Sequence, residues 1–138
     1  MCESLPEVLW IDEDQGELSA VAWVIANCGA RVKRALTVRD GLTMLSTMRP
    51  AAIVLDIIVR VGETQEARQP YSGLAVWCKL DPELRARTLV LSMVPFDQLS
   101  DFADLTKDRF FWKIDLVNHL QEFEQALRDI LRDQEPLS

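Results

Sequence analysis

Four short apolar runs in this chain each stop at a residue that can do chemistry. Val8-Leu9-Trp10-Ile11 is followed by Asp12 and Glu13, Ala51 to Leu55 by Asp56, Leu89-Val90-Leu91 by Ser92, and Phe110-Phe111-Trp112 by Lys113. If the runs are strands of one parallel sheet, three carboxylates, a hydroxyl and an ammonium converge on one edge. Carboxylates brought together repel one another, and burying one without a partner is costly. A hard divalent cation relieves that repulsion; carboxylate and carbonyl oxygens suit Mg²⁺, which commonly bridges to a phosphoryl oxygen. With the charge partly neutralised, Asp56 becomes a nucleophile toward phosphorus that can form an acyl phosphate. Lys113 and Ser92 then offer a positive charge and a hydrogen-bond donor to the other phosphoryl oxygens. Taken singly, each residue has a plainer reading: a strand-end aspartate satisfying a turn, a hydroxyl bonding local backbone, a surface cation before a helix.

The elements that must position these residues are legible in the hydrophobic pattern. Val8 to Ile11 is too short for a helix and reads as a buried strand. Asp14 then reads as an N-cap with Glu17 as its capping-box partner, and Leu18, Val21, Ala22 and Ile25 follow at helical spacing until Gly29 closes the helix. Arg31 to Ala35 is a second strand. Thr37 caps a second helix with Val38, Leu42, Leu45 and Met48 inward, ended by Pro50. The unbroken apolar run Ala51 to Leu55 is that of a central parallel strand covered on both faces. A long polar loop, Val61 to Ser72, precedes a third helix, Gly73 to Leu80, ended by Asp81-Pro82. Leu89 to Leu91 is a fourth strand, Gln98 to Leu105 a fourth helix and Arg109 to Trp112 a fifth strand. Asp115 caps a last helix whose apolar side is Leu116, Leu120, Phe123, Leu127, Ile130 and Leu131. Five strands alternating with five helices make a doubly wound α/β domain, in which the functional crevice lies beyond the carboxyl ends of the strands.

The chain has 138 residues, 22 acidic and 15 basic, for a formal charge of −7. That length suits one domain, here 1–138 with a core over 7–131 and a tail at 134–138, and its burial capacity requires no metal or disulfide staple. An acidic chain whose basic residues are scattered is not expected to bind nucleic acid. Its apolar runs are too short for a membrane span or a signal peptide. Cys2, Cys28 and Cys78 are odd in number and widely separated, which fits a reducing compartment, and a cytoplasmic location is expected. Trp10, Trp23, Trp77, Trp112 and Phe123 read as core, Cys28 and Cys78 as small buried hydrophobes, and His119 as a partly exposed helix residue.

The segments VLWIDED, ALTVRDGLTMLSTMRPAAIVLD, TLVLS and FFWKID resemble, in this order and at close to the expected spacing, the response-regulator receiver domains of two-component signalling. The resemblance covers the chain from Glu7 to Leu131 and implies a flavodoxin-like strand order 2-1-3-4-5. It implies that Asp56 is the phospho-acceptor, and that Asp12, Glu13, Asp56 and the backbone carbonyl of Ile58 surround Mg²⁺. Ser92 matches the switch hydroxyl, Lys113 the lysine that pairs with the phosphoryl group, and Phe110 the aromatic that changes rotamer with it. Ala35 and the pair Gly41-Leu42 match the small and apolar positions of the second helix-loop region. The implied function is that of a stand-alone receiver, a signalling domain and not an enzyme, taking a phosphoryl group from a histidine kinase or phosphotransfer protein. Its output would be contact with a downstream protein, or with a second copy of the chain, through the fourth helix, fifth strand and last helix. Ile58 and Val94, apolar where an attacking water would be held, imply slow dephosphorylation.

Three departures accompany the resemblance. Ile114 replaces the proline that follows the lysine, so a trans bond and a displaced Lys113 are expected, a cis bond before a non-proline residue costing about 3–4 kcal/mol. Met93 replaces a small residue beside the phosphoryl position and restricts donor access. The Asp56-to-Gly73 loop is long, with Val59-Arg60 in place of Met-Pro, and a long loop beside a site is commonly functional. These features motivate a rival reading, a phosphorylation-independent receiver acting as a constitutive binding module. A second rival, a phosphatase of the haloacid-dehalogenase type, needs a second acid two residues after the nucleophile, where this chain has Ile58.

Overall fold

The computed structural model describes residues 5–12, 19–57, 72–99, 105 and 107–133. Five parallel strands, β1 (Glu7–Ile11), β2 (Arg31–Ala35), β3 (Ala52–Asp56), β4 (Thr88–Ser92) and β5 (Phe110–Trp112), form one sheet in the order β2-β1-β3-β4-β5. The expected order 2-1-3-4-5 is therefore the observed one. Successive side chains of a strand point to opposite faces, and both faces here are covered. Val8, Trp10, Val54, Leu89, Leu91 and Phe111 pack on one side with α1 (Ser19–Asn27) and α6 (Leu120–Asp133). Leu9, Ile11, Ile53, Leu55 and Val90 pack on the other with α2 (Val38–Leu45) and α3 (Gly73–Lys79). This double burial is why β3 and β4 are buried at every position and show no alternation in sequence.

The ends of the helices are set by local chemistry. Gly29, at φ +78°, closes α1: its N–H donates to Ala26 O at 3.0 Å and that of Ala30 to Ile25 O at 3.3 Å, the paired bonds of a Schellman turn. The Asp14 cap expected at the other end lies outside the described residues. Thr37 caps α2 as expected, its Oγ1 accepting from Asp40 N at 3.0 Å. The helix stops at Leu45, earlier than Pro50 predicts, because the Ser46 and Thr47 hydroxyls turn back onto Thr43 O and Met44 O at 2.6 and 3.2 Å. Asp81-Pro82 ends α3 and also starts a further single turn, α4 (Pro82–Arg85), with Asp81 Oδ1 accepting from Leu84 N at 2.8 Å. The fourth expected helix begins two residues early, as α5 (Phe96–Leu99), and Leu105 is not helical.

Asp115 does not cap α6. It lies inside a 3₁₀ segment (Lys113–His119) that leads into the helix, and its carboxylate accepts from Asn118 Nδ2 and contacts His119 Nε2, each at 2.8 Å. Phe111 and Phe123 meet edge to face at 5.2 Å and fasten β5 to α6. Trp10, Trp77 and Phe123 are core as expected, but Trp23 and Trp112 are 63% and 40% exposed and Cys78 is also exposed. No helix among the described residues is long and apolar enough to cross a membrane.

Two glycines mark close approaches. A Cβ on Gly73 would collide with the backbone oxygen of Asp56, and one on Gly41 would lie 2.7 Å from Ile11 Cδ1. Backbone cannot yield as a terminal methyl can, and alanine at Gly41 also gains helix propensity. Gly73→Ala is expected to destabilise the fold by about 3 kcal/mol, and Gly41→Ala by less than about 1 kcal/mol, as measured by urea unfolding.

Candidate functional site

The sheet register brings the strand ends together. Ile11 pairs with Leu55, so the residues that follow, Asp12 and Asp56, leave the sheet side by side. Asp12 is held from its other side by its N–H, which donates to Ala35 O at 3.0 Å. Past Asp56 the chain is pinned twice: Ile57 N–H donates to Leu91 O at 3.0 Å, and Ile57 O accepts from Gly73 N at 2.6 Å. The start of α3 is thereby pressed against the end of β3, and only glycine permits it. The pattern marked Gly73 as a helix start; it carried no sign of this contact.

Lys113 follows Trp112, which pairs with Ser92. Its Cα thus leaves the sheet two strand spacings, about 10 Å, from β3. The long side chain spans that gap and places Nζ 2.6 Å from Asp56 Oδ2 and 3.1 Å from Asp12 Oδ2. The three groups are almost sealed from solvent, with side-chain exposures of 9% for Lys113, 3% for Asp56 and 0% for Asp12. Burial alone would favour the neutral amine. The attraction of Asp56, then of Asp12, and their hydrogen bonds outweigh it and hold the Lys113 pKa above its ordinary value. Two carboxylates share one ammonium.

Ser92 is fully buried at the end of β4, and its Oγ accepts from Val94 N at 2.9 Å. That is the local backbone bond of the plainer reading, and it leaves the hydroxyl hydrogen available to donate. Phe110 lies three residues before Lys113 on β5, half-buried and edge to face with Phe96 at 5.3 Å. Met93 is half exposed, and its carbonyl accepts from Trp112 Nε1 at 3.1 Å, a tie between the β4 turn and the end of β5 that sequence reasoning missed. The Lys113–Ile114 bond is trans, and Ile114 is exposed. The structure thus brings Asp12, Asp56 and Lys113 into contact, with Ser92 ending the strand between β3 and β5. Glu13 and Ile58 lie outside the described residues. Among the described residues no three His, Cys, Asp or Glu gather as a metal site. Asp12 and Asp56 do provide the hard oxygen donors that Mg²⁺ takes.

No protein-family model matches the sequence, and no curated protein does. Among solved structures, the chain is similar to a CheY-like response regulator receiver domain protein from Methanospirillum hungatei, with 21% identity over 91% of this chain and 98% of that one and a TM-score of 0.60. It is also similar to the receiver domain of a Francisella response regulator, with 15% identity over 94% and 99% and a TM-score of 0.66. A bacteriophytochrome response regulator matches with 18% identity over 99% of both chains and a TM-score of 0.65. The fold is that of response-regulator receiver domains.

A lysine whose pKa is raised by folding contributes stability in full below its unfolded value, and the contribution is lost as pH climbs from there through the folded value. Stability is therefore expected to fall as pH rises above 10.5, more steeply in the wild type than in Lys113→Met. At neutral pH the variant, which loses the buried ammonium between Asp12 and Asp56, is expected to be about 3 kcal/mol less stable in denaturant titrations.

Proposed function

We propose that this chain accepts a phosphoryl group on Asp56 from a histidine kinase or phosphotransfer protein, and signals through a protein contact. The observation that carries this reading is the buried convergence of Asp12 and Asp56 on one ammonium, 3.1 and 2.6 Å from Lys113 Nζ, within a receiver fold. A carboxylate oxygen of Asp56 attacks phosphorus, a P–O bond forms as the P–N bond to the donor imidazole breaks, and the departing imidazole takes up a proton. Lys113 stands where its ammonium can pass from the carboxylate to the incoming phosphoryl oxygens. Ser92 retains a hydroxyl hydrogen to donate to them. Mg²⁺, held by Asp12, Glu13, Asp56 and the Ile58 carbonyl, would neutralise the charge added by the phosphoryl group.

The contact surface in this reading lies beside β5. An open cavity of about 360 Å³ there is lined by Phe96, Phe110, Trp112, Leu116 and His119 among others. Trp112 belongs both to this lining and to the tie onto Met93, so a change at the turn after Ser92 has a direct route to the surface. The half exposure of Met93 leaves its side chain free to give way to a donor.

Incubation with Mg²⁺ and a small acyl-phosphate donor is expected to add one phosphoryl group to the wild type and none to Asp56→Asn, read by intact mass. Labelling of both proteins would move the acceptor elsewhere. No labelling of the wild type, by this donor or by a phosphorylated histidine phosphotransfer domain, would favour the constitutive binding module. Repeated turnover of a phosphomonoester would point instead to a phosphatase.

A further inference from the structure

The chain is acidic overall, yet residues 31–39 hold four of its 15 basic side chains and none of its 22 acidic ones. Sequence alone reads this as scatter. The fold turns it into a feature, because Arg31 to Ala35 is β2, an outer strand of the sheet. Arg31, Lys33, Arg34 and Arg39 are all exposed. Lys33 faces Glu7 at 3.7 Å and Arg34 lies over the Trp10 ring at 5.7 Å, while among the described residues Arg31, Arg34 and Arg39 make no ion pair.

The backbone of this edge is also open to a further strand. Arg31 N–H donates inward to Pro6 O at 2.8 Å, and Ala35 O accepts inward from Asp12 N at 3.0 Å. By the alternation of a ladder, the N–H and C=O groups of Val32 and Arg34 face away from the sheet. An exposed edge invites pairing, and charge is the usual guard against it. Cations of a single sign guard selectively. They set two copies of β2 against each other, whereas acidic side chains at alternate positions of an added strand would meet Arg31 and Lys33, which point to the same face of the sheet. Beyond the strand end lie half-exposed Leu36 and an open groove of about 500 Å³ on α2, lined by Val38, Arg39, Leu42, Thr43 and Ser46, which suits an apolar anchor. A nucleic acid fits less well, since the rest of the chain is strongly acidic and would repel its backbone.

We infer that the β2 edge is a docking site for an extended acidic peptide segment of a partner protein, which adds as a sixth strand through the outward backbone groups of Val32 and Arg34 and pairs its carboxylates with Arg31 and Lys33. The inference is independent of phosphoryl chemistry at Asp56. Strand addition of this kind takes its affinity from main-chain bonds and its selectivity from alternate side chains.

The probe is a fluorescein-labelled peptide of alternating Glu and Val, titrated with the full chain and followed by anisotropy. Saturable binding is expected, weakened roughly tenfold by the double variant Arg31→Glu/Lys33→Glu and unchanged by Lys79→Glu, an exposed cation on α3. Val32→Pro keeps every charge and removes one outward N–H, and is expected to abolish binding. Amide exchange of the wild type reads the same geometry without a variant: Val32 and Arg34 should slow when peptide is added. Absence of binding, equal loss with Lys79→Glu, or unchanged exchange at Val32 and Arg34 would each overturn the inference. So would displacement of the peptide by an oligothymidine at equal or lower concentration.

Discussion

Two carboxylates sharing one buried ammonium is the constraint around which the carboxyl end of this sheet is arranged. Lys113 can reach Asp56 and Asp12 only if β5, β4, β3 and β1 are parallel and in the observed register. β5 needs only three residues to satisfy that demand, because Phe111 anchors it on Phe123 from one face and Phe110 on Phe96 from the other. On the opposite side of the acids, the approach of Gly73 to the Asp56 and Ile57 backbone brings the start of α3 against the end of β3. The arrangement is electrostatically demanding. Coulomb attraction in a poorly hydrated setting must repay the desolvation of these groups.

What was legible in the sequence follows from which interactions are local or periodic. β3 and β4 could be read because burial on both faces writes itself as an unbroken apolar run, and α6 because Phe123, Leu127, Ile130 and Leu131 recur on one helical face. The acid and lysine positions could be read because each directly follows such a run. The misreadings share a different cause. Ser46 and Thr47 end α2 through side-chain bonds that compete with the helix, so the proline five residues beyond Leu45 was not the stop signal. Asp115 has the look of a cap, but Asn118 and His119 engage its carboxylate. Trp23 and Trp112 are large and apolar, and whether such a side chain faces the core or solvent depends on the phase of its element against the sheet, which composition does not encode.

The charge distribution shows the same division between what a chain lists and what a fold assembles. Net charge describes the long-range field. It hides the segregation at the edge of the sheet, where one five-residue strand and the start of the next helix hold cations with little local opposition. At the other extreme of burial, Lys113 works inside the acid cluster. Basic residues thus serve this chain in two regimes: one screened by water and salt, the other sheltered from both.

That difference bears on how the site can work. Under the proposed reading, adding a phosphoryl group to Asp56 would deepen the negative charge beside Lys113, and the ammonium would then answer to the phosphoryl oxygens as well as to the carboxylates. The turn after Ser92 is the place where such a change would first be felt mechanically. Its bond from Val94 N–H to Ser92 Oγ and its tie from Trp112 to Met93 are both single hydrogen bonds, weak beside the electrostatics next to them. Under the proposed reading, a strong, buried charge interaction beside two weaker hydrogen bonds suits a switch, because the large term could reset the small ones without disturbing the core that holds both.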